Sequence, residues 1–362
     1  MSIFAIVALI LTICIFIYLY YEYAGDAIKR RRTIFEIKML WMGTKGNYED
    51  AIMKQFNVGT QPYKQAQKIC VLTGGNKGIG LGVLKKLLEC EMTVVLAVRN
   101  PKEARESVEK NIDASLIQNR VSYEVCDMFD IETVKRFAEV VHQKHPRINL
   151  LINNAGILPA PYKVTKEGYI SQMAINYLGH FMLTHLLMPN LRAGAEAIGV
   201  KSRVVSVASN VHEVGLINYN DFHCKNYYRA SMAYANSKLA QIMFAYELER
   251  LCRRENWDIQ SFAPHPGVVD TDIFQKSLVN HIPGWKRFLF KTVEEGARTI
   301  VYAAIEPELE GKGGAYLTNC LIKAPVNDIA HDDKECEKLF KYTCNMLNIQ
   351  NFGKENFNNN EE

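Results

Sequence analysis

Ile69-Cys70-Val71-Leu72-Thr73-Gly74-Gly75-Asn76-Lys77-Gly78-Ile79-Gly80 decides the fold. A short apolar run ends directly in a glycine-rich turn, and Leu81, Val83, Leu84, Leu87 and Leu88 then recur at helical spacing. Strand, tight turn and helix follow one another without a linker. Glycines at such a turn let the backbone approach a pyrophosphate, whose charge then sits against the amides at the helix N-terminus. Gly74, Asn76, Lys77, Gly78, Ile79 and Gly80 are therefore candidate dinucleotide contacts. A tight turn without a ligand would carry the same glycines, so the rest of the chain has to decide.

Downstream, the same alternation repeats. Val94-Val95-Leu96-Ala97-Val98, Val121-Ser122-Tyr123-Glu124-Val125, Leu150-Leu151-Ile152 and Arg203-Val204-Val205-Ser206-Val207 are short β-rich runs separated by helical segments, with a sixth at Ile259 to Phe262. Continuous apolar strands separated by helices mean a parallel sheet covered on both faces, hence an α/β, doubly wound sheet of the Rossmann type. One domain over residues 66–348 accounts for the pattern without internal repeats. Ligands of such sheets bind at the carboxyl ends of the strands, so the residues just after each run are the candidates for a site.

Arg99 follows the second strand, where an acidic residue would bond a free ribose 2′-hydroxyl. A guanidinium suits a 2′-phosphate instead, and Lys77 adds charge, so the expected cofactor is NADP, with NAD possible. Asp127 follows the third strand, as an adenine partner, a cap for the helix starting at Ile131, or both. Asn153-Asn154-Ala155-Gly156 ends the fourth, making Asn154, Ala155 and Gly156 cofactor candidates, with asparagine amides able to tie adjacent strands. Pro266-Gly267-Val268-Val269-Asp270-Thr271 follows the sixth; Pro266, Gly267, Val269 and Thr271 are placed to hold a nicotinamide carboxamide.

Hydride transfer to a carbonyl needs a proton donor for the developing alkoxide. In Tyr234-Ala235-Asn236-Ser237-Lys238 the tyrosine and lysine share a helix face, so the ammonium can lower the phenol's pKa from about 10 toward neutrality. Tyr162 and Lys166 have the same spacing, but Tyr162 follows Pro159 and Pro161 in a loop. Ser209 closes the fifth strand as a donor to the substrate oxygen; Ser206, inside the strand, suits a structural role. Asn176 can hold a water linked to Lys238. His180, His212, His223 and His265 lack metal-ligand spacing, and no metal is expected.

The 362 residues carry a net charge of +4, much of it in Lys29-Arg30-Arg31-Arg32, so no nucleic-acid partner is expected. Nine cysteines without a CxxC pair imply a reducing compartment. Residues 1–21 carry no charged side chain and are long enough to span a bilayer, so residues 1–23 read as a transmembrane anchor. The basic cluster after it places the rest on the cytosolic side, at the endoplasmic reticulum or a lipid droplet. A cleaved leader ending near Ala24-Gly25 is the competing reading. Residues 24–65 form a juxtamembrane collar without assignable chemistry, and 349–362 a polar tail. Phe274, Leu278, Ile282, Trp285, Phe288, Leu289 and Phe290 fit either a lid against the bilayer or core cover.

Thr73-Gly74 to Gly80, Asn153 to Gly156, Ser209, and Tyr234 with Lys238, in that order, resemble the short-chain dehydrogenase/reductase superfamily over residues 66–320. Residues 175–191 and 234–251 look like its retinol-dehydrogenase branch, and residues 290–317 most resemble the X-linked dehydrogenase/reductase type, associated with polyprenol and dolichol metabolism. The resemblance implies Tyr234 as acid/base, Lys238 as its modulator and ribose ligand, Ser209 as substrate-oxygen donor, Asn176 as proton relay, and a homodimer through the two long helices. Ala208-Ser209 replaces the usual serine pair, leaving the second position intact. The expected activity is oxidation of a lipophilic alcohol or reduction of its aldehyde or ketone, isoprenoid first, with retinol or a steroid as alternatives. A cofactor-binding scaffold without turnover is the alternative of another class.

Overall fold

The computed structural model describes residues 64–269 and 291–354, with Lys38, Lys45, Gly46, Glu49 and Asp50 ahead of them. The apolar segment at 1–21, Thr271 and the aromatic stretch at 274–290 lie outside the described residues. The strands are β1 (Ile69–Thr73), β2 (Thr93–Val98), β3 (Val121–Val125), β4 (Leu150–Asn153), β5 (Ser202–Ser206), β6 (Ile259–His265), β7 (Tyr316–Thr318) and β8 (Leu321–Lys323). They form one sheet in the order β3-β2-β1-β4-β5-β6-β7-β8. Every neighbouring pair is parallel except β7 and β8. Those two close a hairpin whose turn residues, Asn319 and Cys320, both have positive φ, the backbone of a tight two-residue turn.

Among the described residues, seven longer helices cover the sheet: α1 (Gly78–Glu89), α2 (Pro101–Asn111), α3 (Ile131–Lys144), α4 (Gly179–Ile198), α5 (Ala230–Arg254), α6 (Val293–Ile305) and α7 (Asp333–Met346). Side chains alternate along a strand, so a run apolar at every position must be buried on both faces. β1 shows this: Val71 joins one core with Phe181 of α4 and Leu239 of α5, whereas Cys70 and Leu72 join a second with Leu84 of α1 and Ile300 of α6. The doubly wound Rossmann arrangement read from the sequence is the fold observed. The strand order reverses between β1 and β4, the position at which such sheets open a crevice at their carboxyl edge.

The tail boundary drawn at 349 needs correction. Ile349 and Phe352 are buried, and the Phe352 ring lies 5.1 Å from that of Phe181 and 4.9 Å from that of Phe340. A buried phenylalanine contributes about 2 kcal/mol, enough to draw this segment back onto the domain.

Candidate active site

β1 enters its turn through Gly74 (φ +65°), and α1 begins at Gly78 (φ +50°). A Cβ on Gly80 would lie 2.1 Å from the Gly74 carbonyl oxygen and 2.6 Å from Asn154 Nδ2, far inside van der Waals contact. The turn is thus closed to side chains. Lys77, at the N-cap of α1, gives no side-chain cap, and the first turn holds no acidic residue, so the orphan amides leave this helix end electropositive. Ser107 Oγ donates to the Asn76 carbonyl (2.8 Å) and steadies the loop. The arrangement suits a pyrophosphate.

Arg99 is exposed just beyond β2, and Asn100 after it caps α2 by accepting from the amides of Lys102 and Glu103. Asp127 is not the cap of α3. Asp130 accepts from the Glu132 amide there at 3.1 Å, whereas Asp127 Oδ1 accepts from the Phe129 amide at 3.0 Å in a local turn. Asn154 Nδ2 donates to the carbonyls of Thr73 (2.9 Å) and Gly74 (3.2 Å), tying the end of β4 to the glycine turn. The Asn154 and Ala155 amides both donate to Thr73 Oγ1.

Tyr234 and Lys238 lie on consecutive turns of α5. The Ser209 hydroxyl lies near enough to the Tyr234 phenol to pull its pKa down, although β5 ends at Ser206 and Ser209 lies beyond it, capping a short 3-10 turn. Ser206 is buried against Asn153, whose amide donates to its hydroxyl at 3.4 Å. Lys238 Nζ donates to the Val207 carbonyl (2.8 Å) and to Gln241 Oε1 (2.9 Å). A Cβ on Gly156 would lie 3.2 Å from Asn176 Oδ1 and 3.8 Å from Lys238 Nζ, so these three residues converge. The decoy pair is elsewhere: Tyr162 is exposed against the Tyr228 ring, and Lys166 pairs with Asp130.

The electrostatics differ from the sequence expectation. Burial pushes the Tyr234 phenol above its ordinary value, with the Ser209 hydroxyl pulling the other way, and burial brings the Lys238 ammonium down to about 7. Desolvation disfavours the charged form of both groups. The tyrosine becomes more acidic only while Lys238 carries its proton.

Asn176 sits in a π turn, Ala174–Leu178, that runs into α4. Its side chain is tied to Ile157, accepting from the amide (2.8 Å) and donating to the carbonyl (3.0 Å), and it also donates to Ser237 Oγ. The side chain is therefore committed to structure rather than aimed at a water. Two neighbours are absent from the sequence expectation. Gln241, which accepts from Lys238, is legible as its i+3 helical neighbour. His180, which the sequence marks only as lacking metal-ligand spacing, contacts Thr73 Oγ1 (3.0 Å) and the Asn176 carbonyl (3.2 Å); only the fold reveals that.

Pro266, Gly267 and Val269 form the loop after β6. Gly267 has φ +87°, and Val269 bridges to Lys291. This loop and Ser209 follow neighbouring strands, on the edge of the sheet that carries the glycine turn.

Wherever a hydride is delivered to a carbonyl the oxygen needs a proton, and here a proton-bearing phenol shares a sheet edge with a pyrophosphate cradle; the molecule is a nicotinamide-dependent oxidoreductase. It belongs to the short-chain dehydrogenase family, whose profile matches residues 68–281. It is 34% identical to human polyprenol dehydrogenase over 287 residues, covering 78% of this chain and 86% of that protein. Bovine retinol dehydrogenase 12 is 33% identical over 285 residues, covering 78% and 87%. Among solved structures, an uncharacterised protein from Mycobacterium paratuberculosis superposes with a TM-score of 0.63 at 29% identity, covering 80% of this chain and 98% of that one.

Proposed function

We propose that this chain interconverts a lipophilic primary alcohol and its carbonyl compound with NADP(H), the first candidate being an isoprenoid alcohol of the polyprenol or dolichol type. The observation that carries the reaction is the Ser209 hydroxyl set beside the Tyr234 phenol, with Lys238 buried one turn along the same helix. A bound nicotinamide supplies or accepts the hydride. Tyr234 gives its proton to the substrate oxygen in reduction and takes it back in oxidation, and Ser209 orients that oxygen. Lys238 holds two contacts with its ammonium and keeps its third donor for the ribose, where its charge favours the tyrosinate.

Gly74, Asn76 and Lys77 to Gly80 hold the phosphates, with Asp127, Asn154, Ala155 and Gly156 lining the adenosine and ribose side. Pro266 to Val269, with Thr271, hold the carboxamide. Arg99 and Lys77, both exposed at one sheet edge, favour a 2′-phosphate over a free hydroxyl.

The substrate class rests on the named relatives, polyprenol dehydrogenase and retinol dehydrogenase 12, whose nearly equal identities keep retinol as the second reading. The uncharged segment at 1–21 supports a membrane-anchored, cytosol-facing enzyme that draws substrate from the bilayer.

The test is nicotinamide absorbance with detergent-solubilised protein against polyprenols, dolichols, retinoids and steroids, with either cofactor, beside Tyr234→Phe. Turnover of isoprenoids that is lost in Tyr234→Phe supports the proposal, and turnover of retinoids alone moves the substrate to the second reading. Cofactor binding without turnover of any lipid leaves a non-catalytic scaffold.

A further inference from the structure

We propose that Asp50, in the segment ahead of the domain, is a positioning residue for the nicotinamide end of the cofactor, acting through the Gly267–Val268 peptide. The inference rests on the reading that this loop holds the carboxamide.

The two oxygens of the buried Asp50 carboxylate do different things. Oδ1 lies 3.0 Å from Lys291 Nζ, and Oδ2 accepts from the Val268 amide at 3.1 Å. Lys291, also buried, gives its ammonium to Asn319 Oδ1 and the Pro266 carbonyl, while its backbone amide donates to the Val268 carbonyl at 2.8 Å. The loop is thus gripped at Pro266 and on both sides of Val268. Gly267 leaves no freedom between these grips: a Cβ there would lie 2.5 Å from Asp50 Oδ2 and 2.6 Å from Lys291 Nζ.

A buried ion pair is a poor way merely to gain stability, because desolvation offsets the attraction and an apolar pair often does as well. What it supplies is one fixed register, since each charge accepts only a few partner positions. The same segment also borders the loop after β5: a Cβ on Gly46 would lie 2.8 Å from Asn210 Nδ2, beside Ser209. Glu49 pairs with Lys323 of β8 at 3.7 Å. Asp50 therefore couples the stretch nearest the apolar N-terminus to the part of the site where hydride is exchanged.

The test uses the full chain in detergent and measures dissociation constants for intact NADPH and for 2′-phospho-adenosine diphosphate ribose, which lacks the nicotinamide; NADH and ADP-ribose serve if the enzyme prefers NAD. Because Asp50→Ala alone strands the Lys291 charge and can prevent folding, two double variants are compared. Asp50→Asn/Lys291→Met keeps a carbonyl oxygen for the Val268 amide and should bind NADPH close to wild type. Asp50→Ala/Lys291→Met loses that acceptor and should bind NADPH about tenfold more weakly, with binding of the nicotinamide-free ligand unchanged.

Equal losses for both ligands, or no loss for either, overturn the proposal. Wild-type protein that binds the two ligands equally tightly overturns the carboxamide reading of the loop itself, and the role of Asp50 with it.

Discussion

Lys238→Met should make the protein more resistant to unfolding at acid pH while destroying its activity. The buried ammonium titrates at about 7 against an ordinary 10.5. The sign comes from linkage: between those values the unfolded chain binds more protons than the folded one, so stability rises with pH across the window and the penalty of the buried charge is complete below it. At about 1.4 kcal/mol per pH unit, the lysine costs the folded state roughly 5 kcal/mol at pH 6 and roughly 2 at pH 9. Methionine carries no such cost, but it leaves the Val207 carbonyl and Gln241 Oε1 without their donor, a loss of about 1 to 3 kcal/mol that does not depend on pH. The discriminating quantity is therefore a difference of differences: the stability of Lys238→Met relative to wild type should improve by about 2.5 to 3 kcal/mol from pH 9 to pH 6. At roughly 2 °C per kcal/mol for a domain of this size, the melting temperatures should shift relative to each other by about 5 °C. Urea unfolding at four pH values measures it, and the titrating groups remote from Lys238 cancel between the two proteins. Parallel stability curves would refute both the neutral lysine and the account of why Tyr234 is acidic only when Lys238 is charged.

Tyr234→Phe should lower kcat by about a hundredfold to ten-thousandfold with cofactor affinity kept, read by steady-state kinetics beside a binding titration; retained turnover removes the phenol from the reaction. Gly80→Ala, whose methyl would meet the Gly74 carbonyl oxygen at 2.1 Å, should abolish dinucleotide binding in calorimetry, and a normal isotherm would show that the turn can yield. Arg99→Ala should weaken NADPH by about tenfold or more and leave NADH nearly unchanged; equal effects on both would remove Arg99 from 2′-phosphate recognition. His180, brought by burial down to about 3, contributes stability that is complete above its unfolded value of 6.5 and is lost as pH falls below it, about 2 kcal/mol by pH 5. A neutral His180→Gln should unfold less steeply in an acid titration followed by circular dichroism, unless the imidazole is already charged at pH 5.

The sheet was legible because its strands are buried on both faces, which leaves unbroken apolar runs such as Val94 to Val98 that no amphipathic helix imitates. β7 and β8 were not, since three-residue strands at a sheet edge carry no periodicity. Within the site, Tyr234 and Lys238 could be paired because helical spacing is local information. The sequence places Ser209 at the end of the fifth strand, three residues past the last residue of β5, because Val207 and Ala208 continue the apolar run beyond its pairing. The electrostatic expectation failed for a different reason. Spacing shows that an ammonium can approach a phenol, but not that the lysine is buried and the phenol half-buried, and it is this loss of solvent that raises one group and lowers the other. Asp50 lay beyond sequence reading altogether, since nothing near it in the chain announces that its partners are Val268 and Lys291.

A buried polar chain joins the two halves of the site, and hydrogen-bond bookkeeping fixes its direction. Thr73 Oγ1 accepts from the Asn154 and Ala155 amides, which uses both its lone pairs and leaves its single proton to give. That proton has two acceptors in reach, the Ile152 carbonyl at 3.4 Å and His180 Nε2 at 3.0 Å; because the Asn176 carbonyl facing Nδ1 at 3.2 Å can only accept, the proton of the neutral ring is on Nδ1 and Nε2 is left to accept. Asn176 Nδ2 then donates to Ser237 Oγ (2.9 Å), and Ser237 to the Tyr234 carbonyl (2.7 Å). The chain requires an uncharged imidazole, which agrees with the low proton affinity that burial imposes on it. It explains why a histidine, an asparagine and a serine occupy positions where apolar residues would pack as well: each fixes the orientation of the next. The residue at the mouth of the glycine turn is thereby linked, through three side chains and the Asn176 backbone, to the helix turn that carries Tyr234. The π turn at Ala174–Leu178 is what brings Asn176 into this line, since one extra residue per turn rotates it from the face its neighbours would give it.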